Sequence, residues 1–200
     1  MLILCFRLPG WYKKGVAAVM TIREVRHLPD TVLRGKAKRV STIDKSIHTL
    51  IDDMLATVKQ TNGLGLAAPQ IGVPLRVVVL QMPEEKPLAI INPEVVKRSG
   101  EREVVEGCLS APGYQGVLKR SASVTVKGLN RDGGKIRIKA TDLMAQALEH
   151  ELDHLNGVIY IDHIESNDKL YKIEPETSDS EGRGRIANGE SQSDQSPDSK

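Results

Sequence analysis

The sequence predicts an α+β fold in which a late helix is buried against sheets. Stretches rich in β-branched residues fill the middle of the chain, and the turn Arg131-Asp132-Gly133-Gly134 sits between two alternating stretches as in a hairpin. Only after them does a largely apolar helical pattern begin, from Leu143 to Leu155. Strands first and a buried helix last is the pattern of segregated α and β elements.

In chain order, the apolar residues Ile43, Ile47, Leu50, Ile51, Met54, Leu55 and Val58 recur at helical spacing. They predict an amphipathic packing helix over 43–58, capped by Ser41 or Thr42 and stopped at Asn62-Gly63. "GLGLAAPQIG" (63–72) follows, and then "RVVVLQM" and "LAIINPEVV", two strands bounded by proline. "SVTVKGLNRDGGKIRIKA" (123–140) is the hairpin. Thr141 can cap the second helix, whose core face is Leu143, Met144, Ala147, Leu148 and Leu155, and Asn156-Gly157 ends it.

The folded unit is expected over 20–172. Residues 1–19 carry basic and apolar side chains and no acid; they read as an extension upstream of a start at Met20, the other reading being a targeting peptide, either an organelle transit peptide or a degenerate signal. Residues 173–200 read as a disordered acidic tail, because almost no large apolar side chain is available there to offset ordering entropy. The 28 basic and 26 acidic residues leave a formal charge of +2, which gives no general reason to expect nucleic acid or a membrane surface as partner. No apolar run reaches the roughly 20 residues needed to span a bilayer. Two cysteines, Cys5 and Cys108, form no disulfide framework, so a reducing, cytoplasmic setting is the default.

The sharpest signal is "HELDH" (150–154) within the second helix. His150 and His154, four residues apart, project from one helical face, and Glu151 stands about 100° round the axis. Two imidazoles can hold a metal there, with a carboxylate beside it to serve as general base; two surface histidines are the plain alternative. Catalytic sites present three protein ligands and an open position. In metzincin proteases a third histidine follows the glycine, but Tyr160 stands in that slot, and His163 comes three residues late and reads as a surface histidine. His27 and His48 have nothing around them that suggests ligation. Cys108 in "VVEGCLSAPG" is the remaining soft donor, at a strand end where its sulfur can face a cleft; a buried structural cysteine is the alternative. A zinc endopeptidase with another third ligand, or a closed structural metal site, are the rival readings.

Taken together, "GLGLAAPQ" (63–70), "EGCLS" (106–110) and "HELDH" (150–154) resemble the motifs of peptide deformylases, over roughly 21–164. The resemblance implies antiparallel sheets packed around the HExxH helix and one divalent ion held by Cys108, His150 and His154. It implies ferrous iron as the usual ion, with zinc, nickel or cobalt able to occupy the site, whereas ligand chemistry alone favours zinc. The implied reaction is hydrolytic removal of the formyl group from the N-terminal methionine of nascent polypeptides. Glu151 is then the general base, and the Gln70 side chain and the Leu109 N–H are donors to the oxyanion. Gly63 and Gly65 let the backbone pass close to substrate, and Leu64, Val104, Leu143 and Ala147 line the methionine pocket.

The chain also departs from the family pattern. Glu149 stands where many members have Gln, and "GYQG" (113–116) where many have Arg. Some members end in a basic helix thought to dock near the ribosomal exit, and the acidic tail here gives that docking no support. Glu106 and Arg120 occupy positions that tend to pair in the family.

Overall fold

The computed structural model describes residues 20–173. The chain is mixed α and β. Helix α1 (Lys45–Gln60) is followed by strands β1 (Gly65–Ala67), β2 (Val77–Leu80), β3 (Leu88–Ser99), β4 (Arg102–Cys108), β5 (Ala111–Arg120), β6 (Ser123–Leu129) and β7 (Lys135–Thr141), then by helix α2 (Asp142–His154) and a short β8 (Leu170–Lys172). All strand pairings are antiparallel. The strands form a five-stranded sheet in the order β1-β2-β3-β6-β7 and a three-stranded sheet in the order β4-β5-β8.

Both helices pack on the larger sheet, on opposite faces. Ile47, Ile51, Met54 and Val58 of α1 meet Leu66, Val77, Val79 and Ile91. Ala145, Leu148 and Leu152 of α2 meet Val78, Leu80, Ile90, Val124 and Val126. Side chains alternate along a strand, so β2, covered on both sides, must be apolar at every position; this is why "VVVL" reads as a continuous run. A third cluster, Leu33, Val104, Leu118, Ile159 and Tyr160, packs against the smaller sheet.

The hairpin and both helices fall where the pattern predicts them, with differences at the caps. Asp44, not Ser41 or Thr42, caps α1 by accepting from the N–H groups of Ser46 and Ile47. Thr141 occupies the cap position of α2, but its side chain makes no capping bond. Strand β3 runs through Pro93 to Ser99, beyond the quoted stretch, pairing Lys97, Arg98 and Ser99 with β6; Asn92 takes a left-handed conformation at a register shift and its side chain bonds the Val40 N–H (2.8 Å) and carbonyl (2.9 Å). Gly157 ends the helix region with φ +75°, and a Cβ there would lie 2.4 Å from the Arg34 carbonyl oxygen, so only glycine fits. Among the described residues no helix is long and apolar enough to cross a membrane. The expectations for 1–19 and for the tail beyond Ile173 lie outside the described residues.

Candidate metal centre and active site

Two elements bring three side chains to one point. The C-terminal residue of β4 supplies Cys108, and the last turn and a half of α2 supplies His150 and His154. One donor atom from each lies within 4.8 Å of the other two. Cys108 Sγ is 3.3 Å from His154 Nε2, and the two imidazole rings stand nearly perpendicular at 79° with centroids 5.0 Å apart. A sulfur and two ring nitrogens so placed fit a four-coordinate divalent ion with one position open.

The electrostatics suit a cation. Burial opposes a charge on His150, but contacts with Cys108 and Glu106 outweigh it and raise its pKa well above the usual range, so this corner attracts positive charge. Burial and the neighbouring His150 push His154 the other way, keeping that imidazole neutral and its lone pair free for ligation. His150 Nδ1 is 2.8 Å from Glu106 Oε2, which fixes the ring and leaves its other nitrogen facing the site. Glu106 is itself held by Arg120 at 2.8 and 2.9 Å. Its burial raises the pKa, yet the bonds to His150 and Arg120 win and lower it to about 2. Arg120 reaches on to Asp153 at 2.6 Å, and Asp153 to His163 at 2.8 Å. The Glu106 and Arg120 pair is therefore real and buried, and His163 supports this chain of contacts and is not among the three clustered donors.

Glu151 is buried beside the donors. Desolvation raises its pKa to about 7, partly offset by the charge of His150, and its Oε2 has no hydrogen-bond partner among the described residues. Gln70 lies on the 3-10 turn after β1. Its Oε1 accepts from the Ala67 N–H at 2.8 Å, which turns Nε2 towards Ser110 Oγ (3.3 Å) and Cys108 Sγ (3.7 Å).

A cleft of about 570 Å³ opens over these groups, lined among others by Gly63, Leu64, Gly65, Gln70, Cys108, Leu109, Leu143, Ala147, His150 and Glu151. Val104 is not part of its wall; it lies in the core cluster with Leu33 and Leu118, on the same strand face as Glu106. Its neighbour Val105, 50% exposed, lines the cleft instead. Period-two alternation along β4 carries that signal. His27, whose sequence neighbours suggest no ligation, lies on the cleft wall but is not among the clustered donors, whereas His48 is near Arg131. Gln146 and Ser110 went unremarked in the sequence; the first lines the cleft, and the second donates its N–H to Cys108 Sγ at 3.4 Å. Glu149 turns away, accepting from Arg98 and from both the N–H and hydroxyl of Ser121. Gly65 has a tighter reason to be glycine than substrate approach. A Cβ there would lie 2.5 Å from Glu151 Oε1 and 2.9 Å from both its carboxyl carbon Cδ and its methylene Cγ.

A cysteine sulfur and two imidazoles around one point, with a buried carboxylate adjoining them in a cleft, are the kind of group set that a metal-dependent hydrolase uses. The family model for polypeptide deformylases matches residues 22–170. A peptide deformylase of Dehalococcoides mccartyi (strain CBDB1) is 56% identical over 158 residues, covering 78% of this chain and 95% of the relative. The crystal structure of a peptide deformylase from Legionella pneumophila superposes with a TM-score of 0.72 at 45% identity, over 74% of this chain and 89% of that one. A Met-Ala-Ser-bound peptide deformylase from Acinetobacter baumannii superposes with a TM-score of 0.70 at 30% identity, over 72% and 99%. The chain belongs to the peptide deformylase family, metal-dependent hydrolases that remove the N-formyl group from methionine.

Proposed function

We propose that Cys108, His150 and His154 hold one divalent ion, ferrous iron by family and zinc, nickel or cobalt as able substitutes, and that Glu151 is the proton-transfer group for deformylation of nascent chains. The observation that carries this reading is the three-donor cluster with Glu151 buried beside it at the floor of the cleft. An ion held there would supply Lewis acidity towards the formyl carbonyl and lower the pKa of the attacking water. Glu151, poised near neutrality, takes the proton of the attacking water and passes it to the departing methionine nitrogen. The Gln70 amide and the Leu109 N–H donate to the oxygen on which negative charge develops; a neutral amide does so without acting as a counter-ion in the resting site. Since Ala67 already holds the Gln70 carbonyl, little reorientation is needed.

Strand β1 is an edge of the large sheet and β4 an edge of the small one, and residues of both line the cleft. A substrate chain entering between them finds unpaired backbone groups on either side. The methionine side chain is assigned to the wall formed by Leu64, Leu143 and Ala147, with Val105 in place of Val104. Acetyl-Met is rejected because the extra methyl meets Gly63, Leu64, Cys108 and Leu109.

The deciding assay compares formyl-Met-Ala-Ser with acetyl-Met-Ala-Ser at controlled metal. Rapid release of formate from the first and negligible hydrolysis of the second is expected. Ala147→Trp raises KM for the formyl peptide strongly without changing metal content; equal rates on both peptides, or no effect of the tryptophan, contradict the pocket.

Two further outcomes test the catalytic groups. Gln70→Ala lowers kcat by roughly 10²-fold, the scale of one lost oxyanion donor; a change confined to KM speaks against that role. Gly65→Ala displaces the Glu151 carboxyl, and about a 10²-fold loss of kcat is expected because misplacement by about 1 Å costs that much. Retained metal with unchanged KM identifies clearance for Glu151 as the cause, whereas a pure KM effect returns Gly65 to substrate contact.

A further inference from the structure

The near-neutral charge of the chain conceals a strong segregation. On β6 and β7 the inward residues Val124, Val126 and Ala140 pack with α2. The alternate residues face away from α2, and the register places Lys97, Thr125 and Lys139 in one cross-strand row and Glu94, Lys127 and Arg137 in the next. Lys135, two residues before Arg137 on the same strand face, extends the patch. Helix α1 covers the β1, β2 and early β3 side of that face, through contacts such as Val77, Val79 and Ile91, and its cluster reaches β6 only at its last residue, Leu129. The remainder is open, and its five cations are all exposed. Glu94, the acid in these rows, is already shared by Lys127 at 2.9 Å and Arg39 at 2.5 Å. Among the described residues Lys97, Lys135, Arg137 and Lys139 have no ion pair.

A face that needed only to be solvated gains by mixing signs, since opposite charges across a strand pair stabilise and like charges do not. Here cations recur at a spacing of about 6 to 7 Å along β7, two residues of extended chain. That spacing suits a polyanion with regularly placed charges. The rows carry no aromatic side chain for stacking bases and no bulky apolar anchor for insertion into lipid, so contact is with phosphates and independent of sequence.

We infer that the open face of β3-β6-β7 is a docking surface for the phosphate backbone of structured RNA. The inference rests on the proposed action on nascent chains, whose synthesis takes place on an RNA-rich particle, and none of the five cations lines the cleft, so docking there leaves the cleft's lining uncovered.

The test measures binding of the full chain to a labelled RNA duplex by fluorescence anisotropy over a salt series. Four to five phosphate contacts give a slope of log K against log salt of about −3.5 to −4.5. Lys97→Glu/Arg137→Glu/Lys139→Glu is expected to lose about tenfold or more in affinity at 50 mM salt, with formyl-Met-Ala-Ser turnover unchanged. The matched reversal Lys36→Glu/Lys86→Glu/Lys172→Glu, which alters net charge equally elsewhere, leaves affinity within about twofold. Equal losses in the two triples, no measurable RNA binding, or equal affinity for vesicles containing 30% phosphatidylserine overturn the proposal. RNA binding without formate release in the parent protein refutes the proposed activity and not this surface, because the two readouts are separate.

Discussion

Glu151→Gln retains the metal and loses about 10²- to 10⁴-fold in kcat, the range for a positioned general base. Glutamine keeps the shape of the side chain, so the clearance beside Gly65 and the packing of α2 persist; only the proton acceptor goes. Metal analysis beside kinetics separates this from a ligand role, for which metal and activity fall together. A second readout comes from stability. Burial raises the Glu151 pKa in the folded chain to about 7, above its ordinary value of 4.5. A carboxyl raised on folding binds more protons folded than unfolded, so its ionisation costs stability increasingly as pH climbs from about 4.5 to 7. In protein stripped of metal by a chelator, the Tm of Glu151→Gln therefore exceeds that of the parent at pH 8, and the gap closes towards pH 5. A gap independent of pH contradicts the desolvated carboxylate.

What could be seen in the sequence divides along physical lines. Helical and alternating periodicities report burial, so α1, α2 and the β6-β7 hairpin were legible from their apolar positions. The β4-β5 hairpin was not. Gly107, Pro112, Gly113 and Gly116 break its pattern, and two of its inward residues, Glu106 and Arg120, are charged because they serve His150 and not the core. The family resemblance, not the pattern, puts Val104 in the methionine pocket; alternation along β4 turns it into the core and leaves Val105 facing the cleft. The HExxH spacing made two donors readable from local geometry alone. Cys108, 42 residues before His150, is reachable as a candidate only by elimination of other donors, and Gln70, 80 residues before it, only through the family resemblance. The basic face escaped a count of charges because composition averages over a surface that the register sorts into rows.

Cys108→Ala is expected to lose the metal and with it all measurable deformylation, since two imidazoles alone hold a divalent ion weakly. The fold should survive. Cys108 ends β4 half-buried, and its sulfur, a weak acceptor, lies 3.3 Å from His154 Nε2, 3.4 Å from the Ser110 N and 3.7 Å from Gln70 Nε2, so alanine removes contacts within the site without opening the core. Linkage gives a test that does not depend on activity. An ion present at about 1,000 times its Kd stabilises the parent by about 4 kcal/mol, which for a domain of this size is a rise in Tm of about 8 to 16 °C. Cys108→Ala should show no rise with added ion and no fall with chelator, and its Tm should match that of the chelated parent. Cys5→Ala, the matched control, keeps full metal content and the full shift. A Cys108→Ala protein that retains stoichiometric metal removes the thiolate from the ligand set and returns the third position to another donor.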